Sequence, residues 1–152
     1  MGEWKTLISR LDTEAGWSLS PPAEKNNIKS TETTLNHPLP ADLSALLLET
    51  NGINDTVNYT TVIWDVERIK TDNQFLRTDS SMQELYMPFE SLLFFGDFGN
   101  GDLFGYARTG TGNEIFVWDH ENDSRVWVAS GLEQYLERTA EAAGDDWYFK
   151  SL

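Results

Sequence analysis

The chain has no cysteine among its 152 residues, so disulfide bonds, thiolate catalysis and cysteine-based zinc sites are excluded. Apolar runs are also short. One of the longest, Leu92 to Phe95, is far below the roughly 20 residues that a membrane-spanning helix needs. The first residues lack a basic start followed by an apolar segment, which predicts no signal peptide. We therefore expect a soluble cytoplasmic protein.

Basic side chains are scarce. Lysine and arginine total 11 against 25 aspartates and glutamates, for a net charge of −14. Residues 1–76 carry 11 acidic and 6 basic side chains, and residues 77–152 carry 14 and 5. Direct nucleic-acid binding is disfavoured, because phosphate contacts need clustered lysine and arginine. The acidic excess favours either simple solubility or a basic protein partner.

Catalytic and cofactor motifs are missing as well. The sequence has no P-loop, dinucleotide fingerprint or nucleophile elbow. Asp97-Phe98-Gly99 spells the metal-binding tripeptide of protein kinases, but without the other kinase motifs a tight turn explains it better. Asp119-His120-Glu121 could bind a metal or relay a proton, yet acids at a strand end are usually just solvated. We predict no catalytic residue, cofactor or metal; an enzyme would require saturable turnover that His120→Ala abolishes.

What is present is enough apolar material for one domain with a core: 39% hydrophobic residues, with six Trp, five Tyr and eight Phe. Apolar residues at helical spacing predict a helix over residues 3–11. Further helices are predicted from Ser20-Pro21-Pro22 and from Leu39-Pro40, the latter closed by Asn51-Gly52. Near the C-terminus, Ser130 and Glu133 form a capping-box pattern that opens a last helix.

Between the helices the pattern changes to that of strands. Runs rich in β-branched and aromatic residues, separated by Gly, Asn and Asp turns, predict strands over residues 60–66, 92–95, 103–108, 114–119 and 126–128. The polar segment 67–81 is predicted to be a loop, with at most a short helical turn. We therefore predict a single α+β domain with N-terminal helices, a mainly antiparallel sheet and a C-terminal helix packed on the sheet.

The turns between these strands are the candidate binding surface. From residue 97 to residue 123 there are six acidic side chains and one basic one, Arg108. Aromatic side chains beside acidic groups make good anchors for a basic partner, and Trp118 stands next to the acidic turn. The predicted partner-binding residues are Asp97, Asp102, Trp118, Asp119, Glu121 and Asp123.

Several blocks occur in an order that resembles a known family. Their residues are Ile28, Glu32, Leu35, Leu39-Pro40, Asp42-Leu43, Leu46-Leu47, Asn51-Gly52, Met87-Pro88-Phe89, Phe95-Gly96-Asp97, Gly99-Asn100-Gly101-Asp102, Phe104-Gly105-Tyr106 and Ile115 to Glu121. In this order the blocks resemble the SUKH superfamily, which takes in fungal cell-wall assembly regulators and many bacterial immunity proteins. The resemblance covers about Ile28 to Leu136.

The resemblance implies an α+β fold without catalytic machinery. It also implies an immunity protein that neutralises a cognate bacterial toxin, often a nuclease with a basic surface, by direct binding. The fungal relatives suggest an alternative, a regulatory scaffold or peptide-binding module. We expect an N-terminal helical extension at residues 1–19, a SUKH-like domain at residues 20–144 and a tail at residues 145–152. The partner's identity and the oligomeric state stay open.

Overall fold

The structure is a computed structural model that describes residues 2–13, 16–108, 112–145 and 147–148. Within this part of the chain it contains six helices and seven strands. The helices are α1 (Glu3–Leu11), α2 (Lys25–Leu35), α3 (Ala41–Glu49), α4 (Val66–Thr78), α5 (Ser80–Leu85) and α6 (Leu132–Ala142). The strands are β1 (Trp17–Leu19), β2 (Ile53–Asp55), β3 (Thr60–Ile63), β4 (Leu92–Asp97), β5 (Leu103–Ala107), β6 (Ile115–Asp119) and β7 (Ser124–Ala129).

The strands form two antiparallel sheets, one with the order β1-β2-β3 and one with the order β4-β5-β6-β7. A bulge in β4 joins them. Phe95 has no partner on β5, and its carbonyl oxygen accepts the Trp64 N–H at 2.7 Å, just beyond the end of β3. The strands approach so closely here that a Cβ at Gly96 would lie 2.4 Å from the Val62 carbonyl oxygen. Only glycine fits this position without displacing β3.

The predicted α+β class is confirmed, with the C-terminal helix packed on the sheet. Helix α6 buries Leu132, Tyr135 and Leu136. The Tyr135 hydroxyl donates to the Val62 carbonyl oxygen at 2.8 Å, which ties α6 to β3. Burial raises the Tyr135 pKa well above its ordinary value, helped by the negative charge of Asp97, so this hydroxyl stays a donor at neutral pH.

The segment from residue 67 to residue 81 is helical, so the prediction of a loop is wrong. Helix α4 begins at Val66 and is capped by Asp65, whose side chain accepts the Arg68 N–H at 2.8 Å. Its buried stripe includes a polar residue, Asn73, which interrupts the apolar period in the sequence. The Asn73 side chain bonds to the backbone of Ile69 and Phe94, so its burial is fully compensated.

The predicted start of α2 at Ser20-Pro21-Pro22 is also wrong, because α2 begins at Lys25. The preceding residues are extended and tied to the end of α3. Ser20 N–H donates to Thr50 Oγ1 at 3.1 Å, and the Pro21 carbonyl oxygen accepts from Asn51 N–H at 2.9 Å. These tertiary bonds replace those that a helix would have made.

Three further details differ from the predictions. Helix α6 has no capping box; Ser130 N–H instead donates to the Gln134 side chain at 2.8 Å. Helix α3 ends at Glu49, and Gly52 takes its positive φ of 110° beyond the helix. The short strands β1 and β2 were not predicted.

No helix among the described residues is both long and apolar enough to cross a membrane.

Candidate functional site

Two acidic turns lie side by side at one end of the four-stranded sheet. The β4–β5 turn comprises residues 98–102, and the β6–β7 turn comprises residues 120–123. The strands run antiparallel, and Leu103 at the start of β5 pairs with Trp118 near the end of β6. This register brings together the two turns that the sequence analysis singled out.

Asp102 joins the two turns from the inside. It is 1% exposed, and its Oδ1 accepts from the His120 backbone N–H at 3.1 Å and from His120 Nδ1 at 2.7 Å. Its Oδ2 accepts from the Tyr148 hydroxyl at 2.8 Å and from Asn100 Nδ2 at 3.3 Å. A carboxylate with four donors is well compensated for its burial. Asp102 therefore organises both turns rather than facing solvent.

Gly101 allows this close approach. Its φ is 104°, a region that L side chains rarely adopt, and a Cβ would lie 2.9 Å from His120 Nδ1. Glycine is therefore needed at position 101 for two reasons: the backbone has a positive φ, and the His120 imidazole leaves no room for a side chain.

Asp97 is held in the same inward manner on the other side of the β4–β5 turn. Its Oδ2 accepts from Trp64 Nε1 at 2.8 Å and pairs with Arg68 at 3.0 Å, while Oδ1 accepts from Gly99 N–H at 2.8 Å. Its side chain is 12% exposed. The charge of Asp97 is therefore largely neutralised within the protein.

Trp118 and Asp123 form the floor of the β6–β7 turn. Trp118 is 5% exposed, packs edge-on against Tyr86 and donates its Nε1–H to Asp123 Oδ1 at 2.7 Å. Asp123 also accepts from Met87 N–H at 2.9 Å and from Arg125 at 3.1 Å. The turn is thus fastened to the segment that follows α5.

These contacts also set the ionisation of Asp123. Partial burial alone raises its pKa, but the bonds from Met87, Trp118 and Arg125, together with the charge of Arg125, outweigh that effect. Their net result holds the Asp123 pKa below its ordinary value. The carboxylate that keeps the turn in place is therefore charged at neutral pH.

Glu121 is the most exposed member of the predicted set, and Asp119 lies two positions before it. Asp119 is half-buried, and its Oδ1 accepts the Glu121 N–H at 2.9 Å. Glu121 is exposed. Asp102, Asp119 and His120 could each offer a ligand atom within 4.8 Å of the others, whereas Glu121 does not join this group. Asp102 and His120 are already held together by hydrogen bonds to one another, and Asp102 also accepts from Tyr148. These bonds explain why the two residues lie close together.

The structure thus brings the six predicted residues to one end of the sheet and divides them by exposure. Asp102 and Trp118 are buried, Asp97, Asp119 and Asp123 are half-buried, and Glu121 is exposed. Partner binding by these residues stays a prediction. Sequence reasoning missed the residues that hold the turns: Arg68, Tyr86, Arg125 and Tyr148. Tyr148 lies 46 positions from Asp102, so no local pattern could reveal their contact.

Together, fold and site define an α+β protein in which a glycine-rich turn and an acidic turn lie side by side and are held by internal hydrogen bonds. The chain belongs to the SMI1 / KNR4 family (SUKH-1), whose sequence profile matches residues 22–138. The resemblance found in the sequence is thereby confirmed. Comparison with curated protein sequences gave no significant match.

Proposed function

We propose that the protein is a non-enzymatic immunity protein that binds a cognate toxin through the surface around the β6–β7 turn. The family is known for immunity and regulatory roles. The observation that carries the proposal is the exposed Glu121 beside Asp119, on a rigidly held turn of a chain with net charge −14. The proposed partner is a basic domain, such as a nuclease, in the same cytoplasm.

Physical reasoning supports a role for this turn in recognition. Its backbone is fixed by Asp102, Asp119 and Asp123, so little conformational entropy is lost when a partner docks. Exposed charges at the rim of an interface chiefly steer association and suppress wrong partners. The buried acids contribute by holding Asp119 and Glu121 in place, not by touching the partner.

The test begins with affinity capture of the partner from the host organism at low and high salt. The retained protein is then purified, and its toxic activity is measured with and without this chain. Association rates are compared for a variant carrying Asp119→Asn and Glu121→Lys and for a control carrying Glu133→Gln and Glu114→Lys. Both variants change the charge equally, but the control sites, which are exposed, lie at the opposite end of β6 and at the start of α6.

We expect the turn variant to associate about tenfold more slowly at low salt and to show a weaker salt dependence, while the control keeps the original rate to within about twofold. Equal rates for the two variants would refute this site. Capture of a regulatory protein without toxic activity would favour a scaffold instead.

A further inference from the structure

An open groove lies directly beside the β6–β7 turn. It is formed by the C-terminal part of α4, by α5 and by the segment after α5. The principal lining residues are Leu76, Met82, Tyr86, Met87 and Phe89. Its volume of about 230 Å³ is below the roughly 300–1,000 Å³ of small-molecule pockets, but it has room for one large apolar side chain. The size indicates an anchor pocket rather than a metabolite site.

The groove and the acidic turn are one continuous surface. Met87 N–H donates to Asp123 at 2.9 Å, and Arg125 donates to the carbonyl oxygens of Met87 and Pro88, each at 2.7 Å. The Tyr86 ring, which lines the groove, packs against Trp118 beneath the turn with 5.0 Å between ring centroids. A partner that contacts Glu121 therefore lies within reach of the groove.

Apolar surface is unusually exposed at the groove's edge. Leu85 is 70% exposed and Met87 is 57% exposed. Large exposed apolar side chains that are grouped together and rimmed by polar ones mark interaction sites more often than scattered single residues do. Methionines such as Met82 and Met87 also adapt their shape to different apolar partners.

The charges around the groove favour a basic partner. Glu90 lines the groove, Glu84 follows the lining residue Gln83, and Glu121 belongs to the neighbouring β6–β7 turn; all three are exposed. Arg77, which also lines the groove, turns its guanidinium inward and donates to the carbonyl oxygen of Leu92 at 2.9 Å. Burial, and after it the positive charge of Arg108, lowers the Arg77 pKa. Arg108 and Arg125 also lie against this segment, where they are half-buried and donate to the carbonyl oxygens of Glu90, Met87 and Pro88. The fully exposed charges beside the groove are therefore the acidic ones.

We propose that this groove binds a protein segment with one large apolar side chain flanked by lysine or arginine. The apolar side chain enters between Met82, Tyr86 and Phe89, and the flanking cations face Glu84, Glu90 and Glu121. This inference rests on the proposed function, because it assigns the anchor point of the same interface. Central apolar anchors contribute most of the affinity at such interfaces, whereas rim charges chiefly affect the association rate.

The probe is a short synthetic peptide with one phenylalanine flanked on both sides by lysines. It is titrated into the full-length, isotope-labelled protein while backbone amide shifts are followed by NMR. Two control peptides replace the phenylalanine with serine or the lysines with glutamates. We expect a dissociation constant of about 1 mM or lower for the basic phenylalanine peptide, with shifts at residues 76–90 and 120–123. The serine peptide should bind at least tenfold more weakly.

Protein variants show whether the peptide binds in the groove. Leu85→Ser combined with Met87→Ser should weaken binding at least fivefold, whereas Leu48→Ser on α3, 36% exposed, serves as the matched control and should have no effect. Both groove residues are more than half exposed, so their substitution spares the core. Absent shifts along the groove, equal binding of the serine peptide, or preference for the acidic peptide would each overturn the proposal.

The Glu121→Lys variant separates this inference from the proposed function. If Glu121→Lys weakens binding and the groove variant does not, the anchor pocket is refuted while the acidic surface stands. If the groove variant weakens binding and Glu121→Lys does not, the pocket stands and the electrostatic assignment falls.

Discussion

The two neighbouring turns differ both in composition and in their use of charge: the β4–β5 turn has two glycines and one acid, and the β6–β7 turn has two acids and no glycine. In the β4–β5 turn and at its edge, Asp97 and Asp102 point inward and are bonded to Trp64, His120 and other donors. In the β6–β7 turn, Glu121 points into solvent, and its side chain makes no hydrogen bond or ion pair with any described residue. The carboxylates of Asp97 and Asp102 hold the structure together, whereas the β6–β7 turn presents the Glu121 carboxylate to solvent.

The difference shows that an acidic count is a poor guide to a binding surface. Inward carboxylates need donors supplied by distant parts of the chain, such as Tyr148 for Asp102. A carboxylate bonded in this way is less available to a partner, because its oxygen lone pairs already accept hydrogen bonds within the protein. Stability should therefore depend on the inward acids, and association on the outward ones.

The largest expected effect comes from Asp102→Ala. This substitution leaves the His120 N–H groups and the fully buried Tyr148 hydroxyl without their acceptor. We expect the free energy of unfolding to fall by about 3 kcal/mol, measured by urea denaturation at neutral pH. Asp119→Ala, which loses a single exposed bond to Glu121 N–H, is the control and should cost less than about 1 kcal/mol. Equal losses for the two would remove the distinction between inward and outward acids.

Much of the fold could be predicted from the sequence because its signals are local. The strands β4 to β7 follow runs of apolar, β-branched and aromatic residues, and the turn between β4 and β5 follows Gly99-Asn100-Gly101; both signals depend on neighbouring residues alone. The helix over residues 3–11 also follows its own periodicity. For these elements the fold class and the order along the chain were predicted correctly.

The failures occur where tertiary contacts override local pattern. Asn73 occupies a core position of α4 because the backbone of Phe94 accepts and donates to it, which no local rule could show. The site was likewise found only in part. The sequence placed the acids in adjacent turns, but the inward direction of Asp97 and Asp102 depends on Trp64 and Tyr148, which lie far away along the chain.

A second prediction concerns the contact between the two turns. Gly101→Ala introduces a Cβ that would lie within 3.0 Å of the His120 ring at a φ of 104°. Gly112→Ala is the matched control, because its φ is 78° and no atom of a described residue lies within 4 Å of the added Cβ. We expect the control to lose about 1 kcal/mol of stability from backbone strain alone, and Gly101→Ala to lose about 2 kcal/mol or more.

A double substitution sharpens this test. In a His120→Ala background the imidazole is gone, so Gly101→Ala should cost only as much as Gly112→Ala does. Thermal denaturation of the four proteins gives the coupling between the two turns directly. If the cost of Gly101→Ala is the same with and without the His120 ring, the turns are not packed as described.

A third and smaller effect is the pH dependence contributed by Asp123. Its folded pKa lies below its ordinary value of 3.8, so its stabilisation is fully present above that value and is lost as pH falls through the folded pKa. Asp123→Asn keeps the positive φ of 59°, which asparagine tolerates, and removes the titrating group. The stability difference between the two proteins should be constant above about pH 5 and shrink in more acidic solution. A difference independent of pH from 6 to about 2 would contradict this account.

The smallest expected effect on stability is that of Glu121→Lys. Because this side chain is exposed and unbonded among the described residues, the free energy of unfolding should change by less than about 0.5 kcal/mol. Glu114→Lys, also exposed, is the control with the same change in charge. Association with a basic partner should nevertheless be slower for Glu121→Lys and unchanged for Glu114→Lys. This difference in association rate should be measurable at low salt and should disappear at high salt. A large loss of stability would mean that Glu121 belongs with the inward acids, and that the turn displays no free charge.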